Sequence, residues 1–191
     1  MIETDRLLLR EFRPSDGAFA LALLNEPAFL QFIGDRGVRT IDDAARWIET
    51  GPRANYARLG FGHYVVTLKQ TDEPIGICGL RTREGLNDPD LGYALLQKHW
   101  GHGYALEAAR AVLQWCRTAL KIPRVLAICS PANGPSIAML EKLDFTYQQR
   151  MRLPNENHDV LLYAYHFDDG GGADPHSGRV QSELSAERSA G

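Results

Sequence analysis

The chain has 191 residues, 44% hydrophobic and 24% charged, with 21 Lys and Arg against 24 Asp and Glu for a formal net charge of -3. This composition suits one domain with an ample core and excludes a fibre or a disordered polypeptide. The basic residues are scattered, so no Lys/Arg stripe is available to neutralise a nucleic-acid backbone, and no apolar run approaches the roughly 20 residues that cross a bilayer.

The start Met-Ile-Glu-Thr-Asp-Arg lacks the basic-then-apolar order of a secretory leader, and a cytoplasmic location is expected. Residues 7–12 have the half-alternating apolar look of a strand, and Arg13-Pro-Ser-Asp16 supplies a helix start before residues 19–24. Phe29-Leu-Gln-Phe-Ile33 is an unusually aromatic connector, read as a packed loop or as a pocket wall. Thr40-Ile-Asp-Asp43 has capping-box spacing ahead of a second helix over 44–57, with Trp47 and Ile48 on its apolar face. Three consecutive antiparallel strands are expected over 62–68, 73–80 and 90–96, the first two joined by the short polar connection Lys69-Gln-Thr-Asp72.

A third helix is marked by Leu106, Ala109, Leu113, Cys116 and Leu120 and is expected to end at Pro123. The continuous apolar run Val125-Leu-Ala-Ile-Cys129 suits a strand covered on both faces and parallel to the one before the helix. Asn133-Gly-Pro opens a short helix with Ile137, Leu140 and Leu143 as its candidate buried residues. Two strands over 145–153 and 160–167 close the domain around a turn at Pro154-Asn-Glu-Asn157. From Asp168 the chain is rich in Gly, Ser and Glu with little to bury, so 1–167 reads as the domain and 168–191 as a mobile tail.

Cys78, Cys116 and Cys129 are odd in number and far apart, which suits reduced core filler better than a disulfide framework or zinc knuckle. His99 and His102 stand three residues apart without nearby carboxylates or thiolates, so no metal is expected.

The most informative stretch runs from Leu91-Gly-Tyr93 through His99-Trp-Gly-His-Gly-Tyr-Ala105 to Glu107-Ala108: a strand, a glycine-rich turn and a helix start. Gly101 and Gly103 leave room for a ligand against the backbone, and a helix beginning there aims free N–H groups and its positive dipole end at an anion. The spacing is not that of a dinucleotide fingerprint, because Leu106 occupies the third glycine position. It is not a P-loop, because no Lys-Ser or Lys-Thr follows. The plain alternative is a turn that only joins strand to helix.

The order of elements, with Ile75-Gly76, Leu91-Gly-Tyr93, Trp100-Gly-His-Gly-Tyr-Ala105, Glu107-Ala108, Asn133-x-x-Ser136 and Glu141-Lys-Leu-Asp-Phe145, resembles the GNAT superfamily of acetyl-CoA-dependent N-acetyltransferases over residues 3–167. It is most similar to the branch of the ribosomal-protein alanine N-acetyltransferases, where Trp-Gly-x-Gly-x-Ala replaces the general Gln/Arg-x-x-Gly-x-Gly/Ala. The resemblance implies a mixed α/β (α+β) fold: a mostly antiparallel, twisted sheet of about seven strands with a splayed parallel pair, the fourth and fifth, flanked by about four helices. It implies acetyl-CoA as co-substrate and a primary amine, a protein N-terminus or a small molecule, as acceptor, with homodimers common among relatives.

By the same resemblance the coenzyme A pyrophosphate lies against the N–H groups of Gly101, His102, Gly103, Tyr104 and Ala105. The pantetheine arm pairs with the backbone near Ala94, Leu95 and Leu96, where an N–H also faces the thioester oxygen. Asn133 and Ser136 approach the pantetheine and the departing sulfur, although Asn133 is also a natural helix cap and Ser136 a first-turn hydroxyl. Asp90, Glu84 and Glu11 are candidate proton acceptors, with a water relay as the alternative, and Tyr93, Tyr163 and Tyr165 are candidate proton carriers. The family pattern has glycine where Asp144 stands, so a strained left-handed helix stop is expected there. The weak net acidity favours a cationic amine. A non-catalytic acyl-CoA sensor and an interaction protein with a vestigial turn are the competing classes.

Overall fold

The computed structural model describes residues 1–154 and 156–167; the segment read as a tail, and Asn155 of the expected turn, lie outside the described residues. One sheet runs through β1 (Ile2–Glu3), β2 (Leu7–Arg10), β3 (His63–Leu68), β4 (Pro74–Arg81), β5 (Asp90–Leu95), β6 (Arg124–Cys129), β7 (Thr146–Arg152) and β8 (Asp159–His166). Its spatial order is β1-β2-β3-β4-β5-β6-β8-β7, and only β5 and β6 are parallel. The sheet exceeds the expected size by one strand, since the two residues of β1 are too few to register a hydrophobic period.

The helical segments are α1 (Gly17–Leu24), α2 (Pro27–Phe32), α3 (Ile41–Ile48), α4 (Ala54–Leu59), α5 (Tyr104–Trp115) and α6 (Gly134–Lys142). The expected connector at Phe29 to Ile33 is therefore largely helix α2. Pro27 sits at its start and Phe29 is buried, but six residues are too short to display a 3.6-residue period. The helix expected over 44–57 is divided by a π-helical turn at Glu49–Arg53, where Gly51 and Pro52 interrupt the regular ladder. After α5 a second π turn, Cys116–Leu120, stops at Lys121 in the left-handed region (φ 56°), two residues before Pro123.

Both faces of the sheet are covered, which is why its central strands read as near-continuous apolar runs. Tyr64 and Val66, with Cys78, Leu80 and Leu91, pack toward Ala108, Ala109, Val112 and Leu113 of α5 and Leu140 of α6. Val65 and Ile77 point the other way, onto Ala20, Leu23 and Leu24 of α1, Phe29 of α2, and Ala44 and Ile48 of α3. The two-residue side-chain alternation of β3 thus divides one strand between two cores. Cys78, Cys116 and Cys129 are free and buried.

Local signals hold at several joints. Thr40 and Asp43 form both hydrogen bonds of a capping box at the start of α3. Asp144 is left-handed at φ 61°, and the Phe145 N–H donates to the Leu140 carbonyl (3.0 Å) as the chain leaves α6. Beneath α1, Arg10 and Asp16 form a buried two-pronged ion pair, Nη1 to Oδ2 at 2.8 Å and Nη2 to Oδ1 at 2.9 Å. Asp16 also accepts from the Arg13 N–H (2.7 Å). Among the described residues no helix is long and apolar enough to cross a membrane, and no group of three or more His, Cys, Asp or Glu could hold a metal ion.

Candidate active site

β5 and β6 meet through one register pair, Asp90 opposite Leu126, and the Leu126 N–H donates to the Pro89 carbonyl (2.9 Å). Beyond that pair the remainder of β5 has no ladder partner on its β6 side. On its other side the Leu96 N–H donates to the Ile75 carbonyl (2.9 Å), which sets the phase of the antiparallel ladder. Alternation then turns the backbone groups of Gly92 and Ala94, with the Leu96 N–H, to β4, and those of Tyr93 and Leu95 to the gap. The Leu95 carbonyl is occupied by the Trp100 indole N–H (2.9 Å), while the Leu96 carbonyl accepts the His99 N–H (2.9 Å). Of the expected stretch Ala94 to Leu96, Leu95 offers its N–H to the gap, and Tyr93 joins it.

The chain then passes a 3-10 turn, Gln97–His99, and enters the glycine turn. Gly101 and Gly103 both lie at φ 79°, where an L side chain is strained, and a Cβ at Gly101 would point into open space. Gly103 caps α5 without a side-chain hydrogen bond, and the Glu107 N–H donates to its carbonyl (3.0 Å). The N–H groups of Tyr104, Ala105 and Leu106 precede that first helical bond and project from the helix end. The His102 side chain does not line the cleft; its ring stacks on Tyr104 with centroids 5.5 Å apart.

A brace that sequence reasoning missed holds this turn. The Arg6 guanidinium lies 4.6 Å from the Tyr104 ring centroid, donates to the His102 carbonyl (3.1 Å) and pairs with Glu107 at 2.6 Å. Glu107 also accepts from Thr4 Oγ1 (2.6 Å) and the Arg6 N–H (3.1 Å). Glu107 therefore ties the N-terminal segment to the turn, and its carboxyl is held below its usual range, burial being outweighed by the Thr4 and Arg6 hydrogen bonds.

One cleft of about 860 Å³ follows β5 from this turn to Asp90, and residues of both sheet faces line it. On the α6 side the Tyr93 and Ser136 hydroxyls are 2.7 Å apart. Asn133 accepts the Ser136 N–H through Oδ1 (3.1 Å), so the expected cap exists and places Ser136 beside the gap. Burial pushes the Tyr93 phenol up to about 12 against the opposing Ser136 hydrogen bond, so it remains protonated at neutral pH.

At the far end the cleft opens on the α2 and α3 side. Asp90 is 1% exposed; Arg83 Nε donates to its Oδ2 (2.8 Å), while Oδ1 is buried without a partner. Burial raises the Asp90 carboxyl above its usual range, with Arg83 and Arg81 opposing. His63, Gly79 and Gly92 lie in register across β3, β4 and β5, and a Cβ at Gly92 would stand 2.6 Å from His63 Nε2. That Nε2 is likewise buried without a partner, and burial with the guanidiniums of Arg81, Arg83 and Arg36 pushes the imidazole down to about 3. Phe29, Phe32, Ile33 and Trp47 complete the wall, so the aromatic segment is both packed and pocket-lining.

Of the candidate acids only Asp90 lines the cleft; Glu11 and Glu84 are exposed and lie outside its lining, as do Tyr163 and Tyr165. His63, Arg36, Arg81 and Arg83 were not singled out in the sequence. His63 and Arg81 are polar residues at the ends of otherwise apolar strands, whereas Arg83 and Arg36 lie in the loops after β4 and α2 and carry no such signal.

The comparisons with known proteins agree with this architecture. The family model of the acetyltransferase (GNAT) domain matches residues 6–146. N-acetyltransferase p20 of Bacillus licheniformis is 27% identical over 165 residues, covering 86% of this chain and 92% of the relative. An acetyltransferase from Agrobacterium tumefaciens str. C58 superposes with a TM-score of 0.74 at 27% identity, covering 87% of this chain and 94% of that one. RimL, a ribosomal L7/L12 alpha-N-protein acetyltransferase solved with coenzyme A, shares the fold with a TM-score of 0.74 at 22% identity, covering 86% and 96% respectively.

Proposed function

The chain belongs to the GNAT acetyltransferase family and is an acetyl-CoA-dependent acyltransferase, and from that premise we propose that it acetylates a primary amine, on a protein N-terminus or a small molecule, by direct attack within a ternary complex. The observation that carries the reading is the parted β5 edge running into an amide-lined helix end. Acetyl-CoA supplies an acyl group activated as a thioester. Gly101 to Ala105 receive the pyrophosphate, with open space at Gly101 for its approach. His102 takes part through its backbone alone.

The Tyr93 and Leu95 backbone accompanies the pantetheine as an added strand would. A gap-facing N–H of this pair stabilises negative charge developing on the thioester oxygen. Ser136, backed by the protonated Tyr93, donates a hydrogen bond to the departing sulfur. A thiol of pKa about 8.5 needs little assistance to leave near neutrality. Asn133 positions Ser136 by capping α6.

The amine must attack in its neutral form. Deprotonating a lysine side chain at pH 7.5 costs about 4 kcal/mol, whereas an N-terminal amine costs about 0.4 kcal/mol. The proton leaves to water or to the unpartnered Oδ1 of Asp90. The three cysteines are buried, and burial raises each thiol above its usual range, which argues against a covalent cysteine route.

Labelled acetyl-CoA incubated without acceptor is expected to leave the protein unlabelled after denaturing desalting, and the label is expected in the amine once acceptor is added. A labelled protein that hands its acetyl group to amine would replace direct attack with a two-step mechanism. Coenzyme A binding with no thiol release across a broad amine panel would favour a sensor.

A further inference from the structure

The acceptor end of the cleft carries an uneven charge. Arg36, Arg81 and Arg83 all line it, and each acts electrostatically on the others or on the imidazole between them. Arg83 is neutralised by Asp90. Among the described residues Arg36 and Arg81 have no carboxylate within 4.0 Å, Arg36 making a long 3.4 Å contact to the Ile33 carbonyl. Glu156 acts on both at longer range, and Asp90, already paired with Arg83, acts more strongly on Arg81. Arg81 is also largely sequestered, since burial and the neighbouring guanidiniums lower it to about 10. A cation held out of bulk water without a close anion is costly unless a ligand supplies one.

The same chamber holds two buried acceptor atoms without partners, Asp90 Oδ1 and His63 Nε2. The imidazole is neutral, so its Nε2 is available as an acceptor when Nδ1 carries the proton. Arg81 and Asp90 are cross-strand partners at the end of β4 and the start of β5, in phase with the hydrogen-bonded pairs. Their Cα atoms are about 5.5 Å apart in that geometry, and their side chains share one face. A cation and two unpartnered polar atoms thus line one chamber on one face of the sheet.

We propose that the acceptor is a primary amine bearing a carboxylate a few bonds away, its carboxylate held by Arg81 with Arg36 and its amine directed to Asp90 Oδ1 and His63 Nε2 below the thioester. This deepens the acetyl-transfer reading and rests on it. An amino acid and a peptide beginning with an acidic residue both present that chemistry. The guanidiniums also disfavour a protonated amine beside them, which promotes the neutral form that attacks. The walls of Phe29, Phe32, Ile33 and Trp47 suit the apolar remainder of such a molecule.

The test is steady-state kinetics, referred to the unprotonated amine, with acceptors matched in size and differing in charge: free amino acids against their amides, and peptides with Asp or Glu first against Asn or Gln. For the wild-type protein kcat/KM is expected to favour the acid of each matched pair by about ten- to a hundredfold, the range of a charge-assisted bond. The better series separates free amino acids from peptides. In Arg81→Gln the preference is expected to fall toward one while coenzyme A affinity is unchanged, and Arg36→Gln, at an exposed site, is expected to reduce it in part. Equal turnover of acids and amides, or preference for amides or polyamines, would overturn the proposal and leave acetyl transfer standing. Turnover of no amine at all would overturn both.

Discussion

Gly103→Val is expected to weaken coenzyme A binding about a hundredfold or more while costing the fold little. At φ 79° a side chain is strained by about 1–2 kcal/mol, and a β-branched one more. The new Cβ would meet only the flexible end of Arg6, Nη2 at 3.6 Å, an ordinary van der Waals contact. Relief of the strain moves the turn, and with it the N–H groups of the first helical residues. Loss of two charge-assisted hydrogen bonds at about 1.5–3 kcal/mol each gives the stated change in affinity. Titration calorimetry with coenzyme A measures it directly. An affinity within threefold of wild type would show that the turn merely joins β5 to α5.

The second large effect is on stability. Asp16→Asn leaves the Arg10 guanidinium buried without its carboxylate and is expected to cost about 3–5 kcal/mol. For a protein of this size that lowers Tm by about 10 °C or more. Burial pushes the Asp16 carboxyl up, but hydrogen bonds from Arg10 and the Arg13 N–H outweigh it and hold the group below its usual value. A depressed folded-state pKa gives stability that is full above the unfolded carboxylate range and is lost as pH falls through the folded value. The gap between wild type and variant should therefore be widest near neutrality and narrow only below about pH 4. The double change Arg10→Met with Asp16→Leu should recover much of the loss, because it removes both buried charges. A Tm within 2 °C of wild type for Asp16→Asn would refute this account of the pair.

Several joints of the fold were legible because their signals are local. Thr40 with Asp43, Asn133 with Ser136, and the left-handed position taken by Asp144 are each contained within a few residues, and each appears in the fold as expected. The strand and turn from Leu91 to Ala105 were also readable in order. The phase of β5 was not, because which of Tyr93, Ala94, Leu95 and Leu96 faces the gap depends on pairing with β4, a residue-by-residue fact of register. The acceptor side was least legible. Arg36, His63, Arg81 and Asp90 come from four separate segments and converge only through the sheet and α2. Asp90, a candidate proton acceptor by sequence, is buried and paired with Arg83, neither of which its position in the chain announces. Net acidity, which favours a cationic acceptor, is a sum over the whole surface, whereas the proposed recognition would draw on the arginines of one chamber.

The central claim, that this cleft moves an acetyl group from acetyl-CoA to an amine, is tested most directly by a stoichiometric transfer experiment. Purified protein, acetyl-CoA and a primary-amine acceptor are followed at once by thiol titration and by mass spectrometry of the acceptor. One thiol released per acetylated amine, with release suppressed in Gly103→Val, is the predicted result. Thiol release without acetylated amine, or no release across acidic, neutral and basic amines, would contradict it.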